Sequence, residues 1–246
     1  AARELKSPFL GLYGACSTMA ESLLIGSMLI DGGYAGRVAC AATSHFCTAE
    51  RQFRSPLEMG GQTTPTAQRT VTGAGSSILA YEGYTGKMLY GNVFITAATI
   101  GRVVDLGITD TTNMGAAMAP AAADTLCAHL SETGRSIRDY DLIVTGDLGS
   151  FGSEMFLELC RDNGVDASRR HLDCGNLIFS SKQKVDCGGG CGCSASVLNG
   201  YLLNRIEQGD LRRILFMATG ALMSPTSGMQ SDSIPGIAHG VVLERK

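Results

Sequence analysis

A chain of 246 residues with 44% hydrophobic and 17% charged residues has material for a large core and little for disorder, so it reads as one large domain or two fused halves. A net charge of −3 without a basic run argues against nucleic acid as a primary ligand. No apolar run reaches the roughly 18 residues that cross a bilayer and no signal peptide is visible, so the chain reads as soluble or at most peripheral.

The first elements are an apolar strand running into Gly14-Ala15, then Cys16, then an amphipathic helix that ends at Asp31-Gly32-Gly33. This order puts Cys16 at a helix N-terminus, where unpaired N–H groups and the helix dipole favour a thiolate. Strand, tight turn, cysteine and helix is how an α/β protein presents a nucleophile or an anion site. The plainer alternative is a buried cysteine without chemistry. A buried strand over Val38–Thr43 follows and leads to His45 in TSHFCTAERQFR, at a strand C-terminal end where α/β sites commonly sit. His45 is a candidate base or hydrogen-bond donor toward Cys16, or a structural histidine bonding a backbone carbonyl. A further strand, AGSSILAYE, ends at Glu82.

Beyond it, Asn92–Arg102 reads as a strand, Ala116–Glu132 as an Ala-rich helix, Asp141–Thr145 as a buried strand and Ser153–Asn163 as a helix. An extended segment begins at Cys174. Next comes Cys187-Gly-Gly-Gly-Cys191-Gly-Cys193, a helix ending at Gln208-Gly209-Asp210, a strand from Arg213 and a closing strand, IAHGVVLE, ending at Glu244. In that last strand His239 shares a face with Ile237, Val241 and Leu243 and reads as a core histidine close to the site. His129 in a helix pattern and His171 in a polar loop receive no role. The nine cysteines are odd in number and scattered through patterned segments, which points to reduced thiols. The C-x3-C-x-C spacing at Cys187–Cys193 is not a usual zinc pattern, so no metal site is expected. Its glycines suit close backbone approach to a ligand or to the other cysteine turn.

The chain repeats itself. Gly14-Ala-Cys16-Ser17 matches Cys191-Gly-Cys193-Ser194, Arg37-Val-Ala-Cys-Ala-Ala matches Arg213-Ile-Leu-Phe-Met-Ala, and Thr64-Pro65-Thr66 matches Ser224-Pro225-Thr226. Self-similarity on this scale is a tandem of two equivalent halves: residues 1–90, the remainder of an N-terminal half, and residues 91–246, the C-terminal half. By that repeat roughly 80 residues are expected ahead of Ala1, together with an exposed sheet edge where their strands belong.

Two βαβαβ-type halves with cysteine turns resemble the thiolase superfamily, whose fold is a five-layered αβαβα arrangement of α/β halves. The stretches GLYGACST, ATSHFCTAERQFR, GRVVDLG, NMGAAMAPAAADT, DYDLIVTGDLG, GCGCSA, ATGALMSPTS and IPGIAHGVVLE narrow the resemblance to the stage V sporulation protein AD family. The resemblance implies a subunit that binds dipicolinic acid in the developing spore, peripheral on the spore inner membrane and docked on the membrane subunits of a dipicolinate channel. It implies no cofactor of the chain's own, with calcium arriving only alongside dipicolinate, and pairing into a homodimer by edge strands. Condensing enzymes of the superfamily keep a His or Asn at the positions falling on Thr145-Gly146-Asp147 and at the second cysteine turn. Here those places hold no imidazole, and Cys191 and Cys193 occupy the turn. Cys16 therefore reads as one wall of a two-elbow anion pocket lined by His45, Gly146, Asp147, Cys191, Gly192, Cys193 and His239. Arg51, Arg54 and Arg69 are candidate carboxylate clamps, and Asp31, Asp105 and Asp147 are calcium contacts if the ion enters with the ligand. The rival reading is an acyltransferase with Cys16 as nucleophile and His45 as its partner. A third is a scaffold with a vestigial pocket.

Overall fold

The computed structural model describes residue 4 and residues 6–49, 68–179 and 187–246. Its centre is β8 (Arg213–Ala221), where every residue after Arg213 is buried. A strand covered on both faces needs an unbroken apolar run, and RILFMATGA supplies one apart from Thr219. β8 pairs antiparallel with β9 (Gly236–Arg245) and parallel with β5 (Leu142–Thr145). β4 (Val93–Thr99) and β6 (His171–Asp173) complete a five-stranded sheet in the order β4-β9-β8-β5-β6.

One face of this sheet carries α3 (Met114–Thr133) and α4 (Gly149–Asp162), with Met118, Leu126, Phe156, Leu215, Met217 and Val242 in one buried cluster. The other face carries α1 (Thr18–Asp31), α6 (Cys191–Val197), a π-turn over Leu198–Leu202 and α7 (Leu203–Gln208). Beyond those helices lies the antiparallel pair of β1 (Arg37–Ser44) and β3 (Gly73–Ala80). Met19 and Leu23 of α1, Cys40 and Ala42 of β1, Leu198 and Leu202, and Phe216 and Val241 share a second buried cluster. Helices, sheet, helices and strand pair therefore stack as alternating layers, and both sequence halves contribute to the inner core. β1 buries only Cys40 and Ala42 and leaves Arg37, Ala39, Ala41 and Thr43 exposed. A short α2 (Phe46–Ala49) follows β1, and a two-residue β2 (Arg69–Thr70) pairs parallel with β7 (Gly188–Gly189).

Three expectations are corrected. No strand leads into Gly14-Ala15: residues 8–13 are without regular structure, and Phe9, Leu10 and Tyr13 are exposed rather than packed in a sheet. The segment from Cys174 is not extended but helical, α5 (Cys174–Ile178), because the Asp173 carboxylate accepts the Asn176 N–H at 3.1 Å and caps it. His171 lies on β6 and not in a loop, with its Nε2 2.8 Å from the Thr145 hydroxyl. The match of Thr64-Pro65-Thr66 to its second copy lies outside the described residues, as do Arg51 and Arg54.

Candidate functional site: two elbows joined by a buried carboxyl

The first elbow turns on Ala15, whose φ of 49° is in the left-handed region that a Cβ disfavours. Local bonds hold it there: the Ser17 N–H and hydroxyl both donate to the Gly14 carbonyl, at 2.9 and 2.6 Å, and the Thr18 hydroxyl donates to the Ala15 carbonyl at 2.7 Å. Gly220 of β8 lets the elbow seat on the sheet, since a Cβ there would lie 2.4 Å from the Gly14 oxygen and 3.2 Å from the Cys16 nitrogen. Ala15→Gly is expected to stabilise the fold by about 1 kcal/mol, against the usual cost of Ala→Gly, because glycine adopts this φ freely. Thermal unfolding checks it, and a lowered midpoint would show that the elbow is unstrained.

The second elbow turns on Gly190, φ 90°, and Cys191 opens α6 directly after it. The positive-φ residue sets the register, so Cys191 stands where Cys16 stands, and Cys193, the expected counterpart, lies two residues further on and is fully buried. The Cys191 sulfur donates to the Thr43 carbonyl at 3.1 Å. Gly192 is packed against β1 and β3: its N–H donates to the Ser44 hydroxyl at 2.9 Å, and a Cβ on it would lie 2.4 Å from the Gly73 oxygen. This glycine closes a seam and is not open to a ligand, contrary to the sequence expectation.

The elbows meet at Asp147, which follows β5 through Gly146. One carboxylate oxygen accepts the Gly190 N–H at 2.9 Å, the other accepts the Thr219 hydroxyl at 2.9 Å, and the Cys16 thiol hydrogen-bonds to the same carboxyl. The Gln68 side-chain amide donates to the Asp147 carbonyl. Gly146 permits the approach to β8, since a Cβ there would sit 2.9 Å from the Thr219 nitrogen. Burial lifts the Asp147 carboxyl to about 7; hydrogen bonds from Thr219, Cys16 and Gly190 oppose the lift, and the charge of Asp173 adds to it. Asp173 is lifted by burial to about 6, held down in part by bonds from the Leu148 N–H and Thr145 hydroxyl, both at 2.8 Å. His171 completes this second ring of contacts; burial lowers it to about 4, so it stays neutral. Behind the first elbow, Glu21 is also raised by burial, and its Oε2 has no hydrogen-bond partner among the described residues.

These surroundings overturn the expected thiolate. Cys16 is partly exposed, yet desolvation, followed by the charge and hydrogen bond of Asp147 and then Cys191, pushes its thiol well above the usual range. The Gly190 N–H acts in the opposite direction and is outweighed. The helix dipole is a terminal effect of about 1 kcal/mol, smaller than burying a charge beside a carboxylate. Burial likewise raises Cys191, Cys193 and Cys174. With iodoacetamide at neutral pH, exposed Cys47 is expected to alkylate first and Cys16 at least about tenfold more slowly, as peptide mass mapping would read. Faster labelling of Cys16 would mean that it is ionised.

The two histidines stand apart from this knot. His45 is exposed just after β1, and its Nδ1 accepts the Cys47 N–H at 3.2 Å. His239 lies on β9 opposite Ala218, and its Nδ1 accepts the Gly101 N–H at 3.2 Å. Burial lowers it. Asp31 is exposed, Asp105 is tied to the Ser233 hydroxyl and Gly107 N–H, and Asp147 is buried. Among the described residues no group of three or more His, Cys, Asp or Glu side chains is placed to hold a metal ion. Gly190, Thr219, Asp173 and Ser44 belong to the site and were not singled out from sequence. Thr219 left a signal, a hydroxyl inside an otherwise apolar strand.

An elbow cysteine, a helix behind it and an antiparallel strand pair, met by a second such elbow, form the arrangement to compare with known proteins. Residues 1–244 match the sequence model of the family described as Stage V sporulation protein AD (SpoVAD). The chain belongs to that family. It is 48% identical over 245 residues to Stage V sporulation protein AD of Bacillus subtilis (strain 168), covering 99% of this chain and 70% of that relative. Among solved structures it is similar to 3-oxoacyl-[acyl-carrier-protein] synthase III from Aquifex aeolicus VF5, with a TM-score of 0.55, 14% identity and coverage of 99% of this chain and 69% of the other. Human mitochondrial 3-ketoacyl-CoA thiolase superposes with a TM-score of 0.59 at 13% identity, over 98% of this chain and 79% of the thiolase. At such identities the likeness is one of fold: this family member has a thiolase-like α/β scaffold. No helix among the described residues is long and apolar enough to cross a membrane.

Proposed function

We propose that this sporulation-family chain captures dipicolinic acid reversibly and without covalent chemistry, as the dipicolinate-binding subunit of a spore channel. The observation that carries the reading is the partner of Cys16. A condensing nucleophile must ionise, with basic groups beside it to accept its proton and stabilise the oxyanion. Cys16 instead faces the Asp147 carboxyl in a desolvated site, which holds it as a thiol. A thiolase-like scaffold with its nucleophile held in that state is suited to binding rather than acyl transfer.

Titration calorimetry of the full chain with dipicolinate should give saturable heat, and incubation with acyl-CoA thioesters should leave the protein mass unchanged. Absence of heat sinks the binding reading, and an acyl adduct on Cys16 would replace it with acyl transfer. The same reading seats the chain on the membrane subunits of the channel at the spore inner membrane, as a homodimer paired by edge strands. Co-sedimentation with those subunits and analytical ultracentrifugation test these two points.

A further inference from the structure

A second buried carboxyl, Asp173, stands one strand away from Asp147. β6 pairs parallel with β5 so that Asp173 lies opposite Thr145, and the chain leaves β5 through Gly146, Asp147 and Leu148 before Gly149 opens α4. The Asp173 carboxyl spans this turn. One oxygen accepts the Thr145 hydroxyl and the Leu148 N–H, both at 2.8 Å, and the other accepts the Gly149 N–H at 3.2 Å and the Asn176 N–H at 3.1 Å. Asp147 is thus held from both sides in sequence, by Thr145 before it and by Leu148 and Gly149 after it. Leu148 offers no side-chain cap to α4, so Asp173 satisfies the first N–H groups of α4 as well as capping its own helix, α5. Gly175 lets these parts close up, since a Cβ there would lie 2.4 Å from the Gly188 oxygen, 2.9 Å from the Asp173 carboxyl and 3.3 Å from the Asp147 Cα.

The donors fix which carboxyl carries the charge. A carboxylate has about four lone-pair sites. Donors face all of them on Asp173, which leaves no place for a proton. Having given its one proton to Asp173, the Thr145 hydroxyl accepts from the His171 Nε2 2.8 Å away, so His171 is the neutral Nε2–H tautomer. Its ring lies against Phe156, with centres 4.9 Å apart. Asp147 receives donors from Cys16, Gly190 and Thr219 only, and keeps a site for a proton. The other titratable groups around the pair are the thiols of Cys16, Cys174, Cys191 and Cys193, all raised by burial, with Glu21 behind the first elbow. Among the described residues no lysine or arginine forms an ion pair with either carboxyl.

We infer that Asp173 is the positioning residue of this site, an ionised carboxylate that clamps both flanks of Asp147 and whose like charge, added to burial, keeps a proton on its neighbour. It touches neither elbow cysteine through its carboxyl bonds and acts on Cys16 through Asp147. The assignment rests on these bonds and not on the ligand proposed above.

NMR titration of the full chain with isotope-labelled aspartate carboxyl carbons tests it, the two signals being assigned by their loss in Asp147→Asn and Asp173→Asn. In the wild type Asp173 should ionise before Asp147 as pH rises. In Asp173→Asn the Asp147 midpoint should fall by at least about half a pH unit, because a like charge is gone and the turn is freed. The asparagine also turns an NH₂ toward the Leu148 N–H, so this variant melts lower even if Asp173 is only a helix cap; the midpoint separates the two roles. Thr145→Val, which removes one donor and leaves the carboxyl, should raise the Asp173 midpoint and lower that of Asp147, and Thr145→Ser should restore both. Asp105→Asn, at an exposed acid bonded to Ser233, should move neither. An Asp147 midpoint unmoved in Asp173→Asn overturns the assignment and leaves Asp173 a cap. If that variant does not fold, an Asp147 midpoint unmoved in Thr145→Val overturns it equally, as does a wild-type Asp173 that ionises after Asp147. No ligand enters the measurement, so its failure is distinct from a failure of dipicolinate to bind.

Discussion

Between about pH 4 and pH 7, Asp147→Asn should gain stability relative to the wild-type chain as pH rises, because the buried Asp147 carboxyl contributes stability that is lost over that window. The native carboxyl titrates at about 7, against the ordinary 3.8, so over this window the folded state holds a proton that the unfolded chain has released. The protein that binds more protons when folded loses stability as protons become scarce: the contribution is fully present below the unfolded value and is lost as pH climbs through the folded one. A lift of this size corresponds to roughly 4 kcal/mol across the window. Asp173, lifted to about 6, adds a smaller slope of the same sign. Buried His129 and His171, both lowered to about 4, pull the other way over much of the same window. Asp105, Asp139 and Glu244, held below their ordinary values by hydrogen bonds, do so at more acid pH, so it is the difference between variant and wild type that isolates Asp147. Asparagine suits the position: its amide oxygen accepts from the Gly190 N–H while its NH₂ donates to the Thr219 hydroxyl. The variant should therefore gain on wild type as pH rises, measured by denaturant unfolding at each pH. A stability difference between variant and wild type that stays constant from about pH 4 to about pH 7 would mean that Asp147 titrates near its ordinary value.

The second large effect is expected at Gly192→Ala. A Cβ there would meet the Gly73 oxygen at 2.4 Å, the Ser44 hydroxyl at 2.5 Å and the Ser44 nitrogen at 2.8 Å. Two of these three atoms are backbone and cannot swing aside, so the β1–β3 pair must part from α6. We expect a loss of about 3 kcal/mol or more, a fall of roughly 6–12 °C in the thermal midpoint for a chain of this size. Gly200→Ala is the matched control, because a Cβ there meets nothing within 4 Å. It should be neutral or mildly stabilising through helix propensity. Equal melting of the two variants would show that the seam is loose.

Much of the fold was legible from periodicity. The helix read over Ala116–Glu132 is Met114–Thr133, and the strand read over Asp141–Thr145 is Leu142–Thr145. Helix α5 was missed because it is short and owes its start to the carboxylate of Asp173, a cap that weighs little in a hydrophobic pattern. Cys16 was marked by its turn-and-helix pattern and Asp147 through the thiolase-like resemblance, and the structure brings them together. The choice between Cys191 and Cys193 was not legible, since it depends on the backbone turn at Gly190. Nor was the state of the thiol. A helix N-terminus is a local feature that spacing can reveal, whereas the desolvation that overrides it comes from β5, β8 and α6, far away in the chain. His45 illustrates the converse: well placed by sequence, it spends its Nδ1 on its own turn.

The knot at Asp147 also bears on how the chain folds. Its three donors belong to residues 16, 190 and 219, so the carboxyl is satisfied only when the first elbow, the second elbow and the central strand have all docked. Contacts separated by so much chain are slow to close. Until the last of them forms, a carboxyl ready to be buried still lacks partners, which disfavours burying it early. The knot is therefore assembled late, after the local turns that carry its donors.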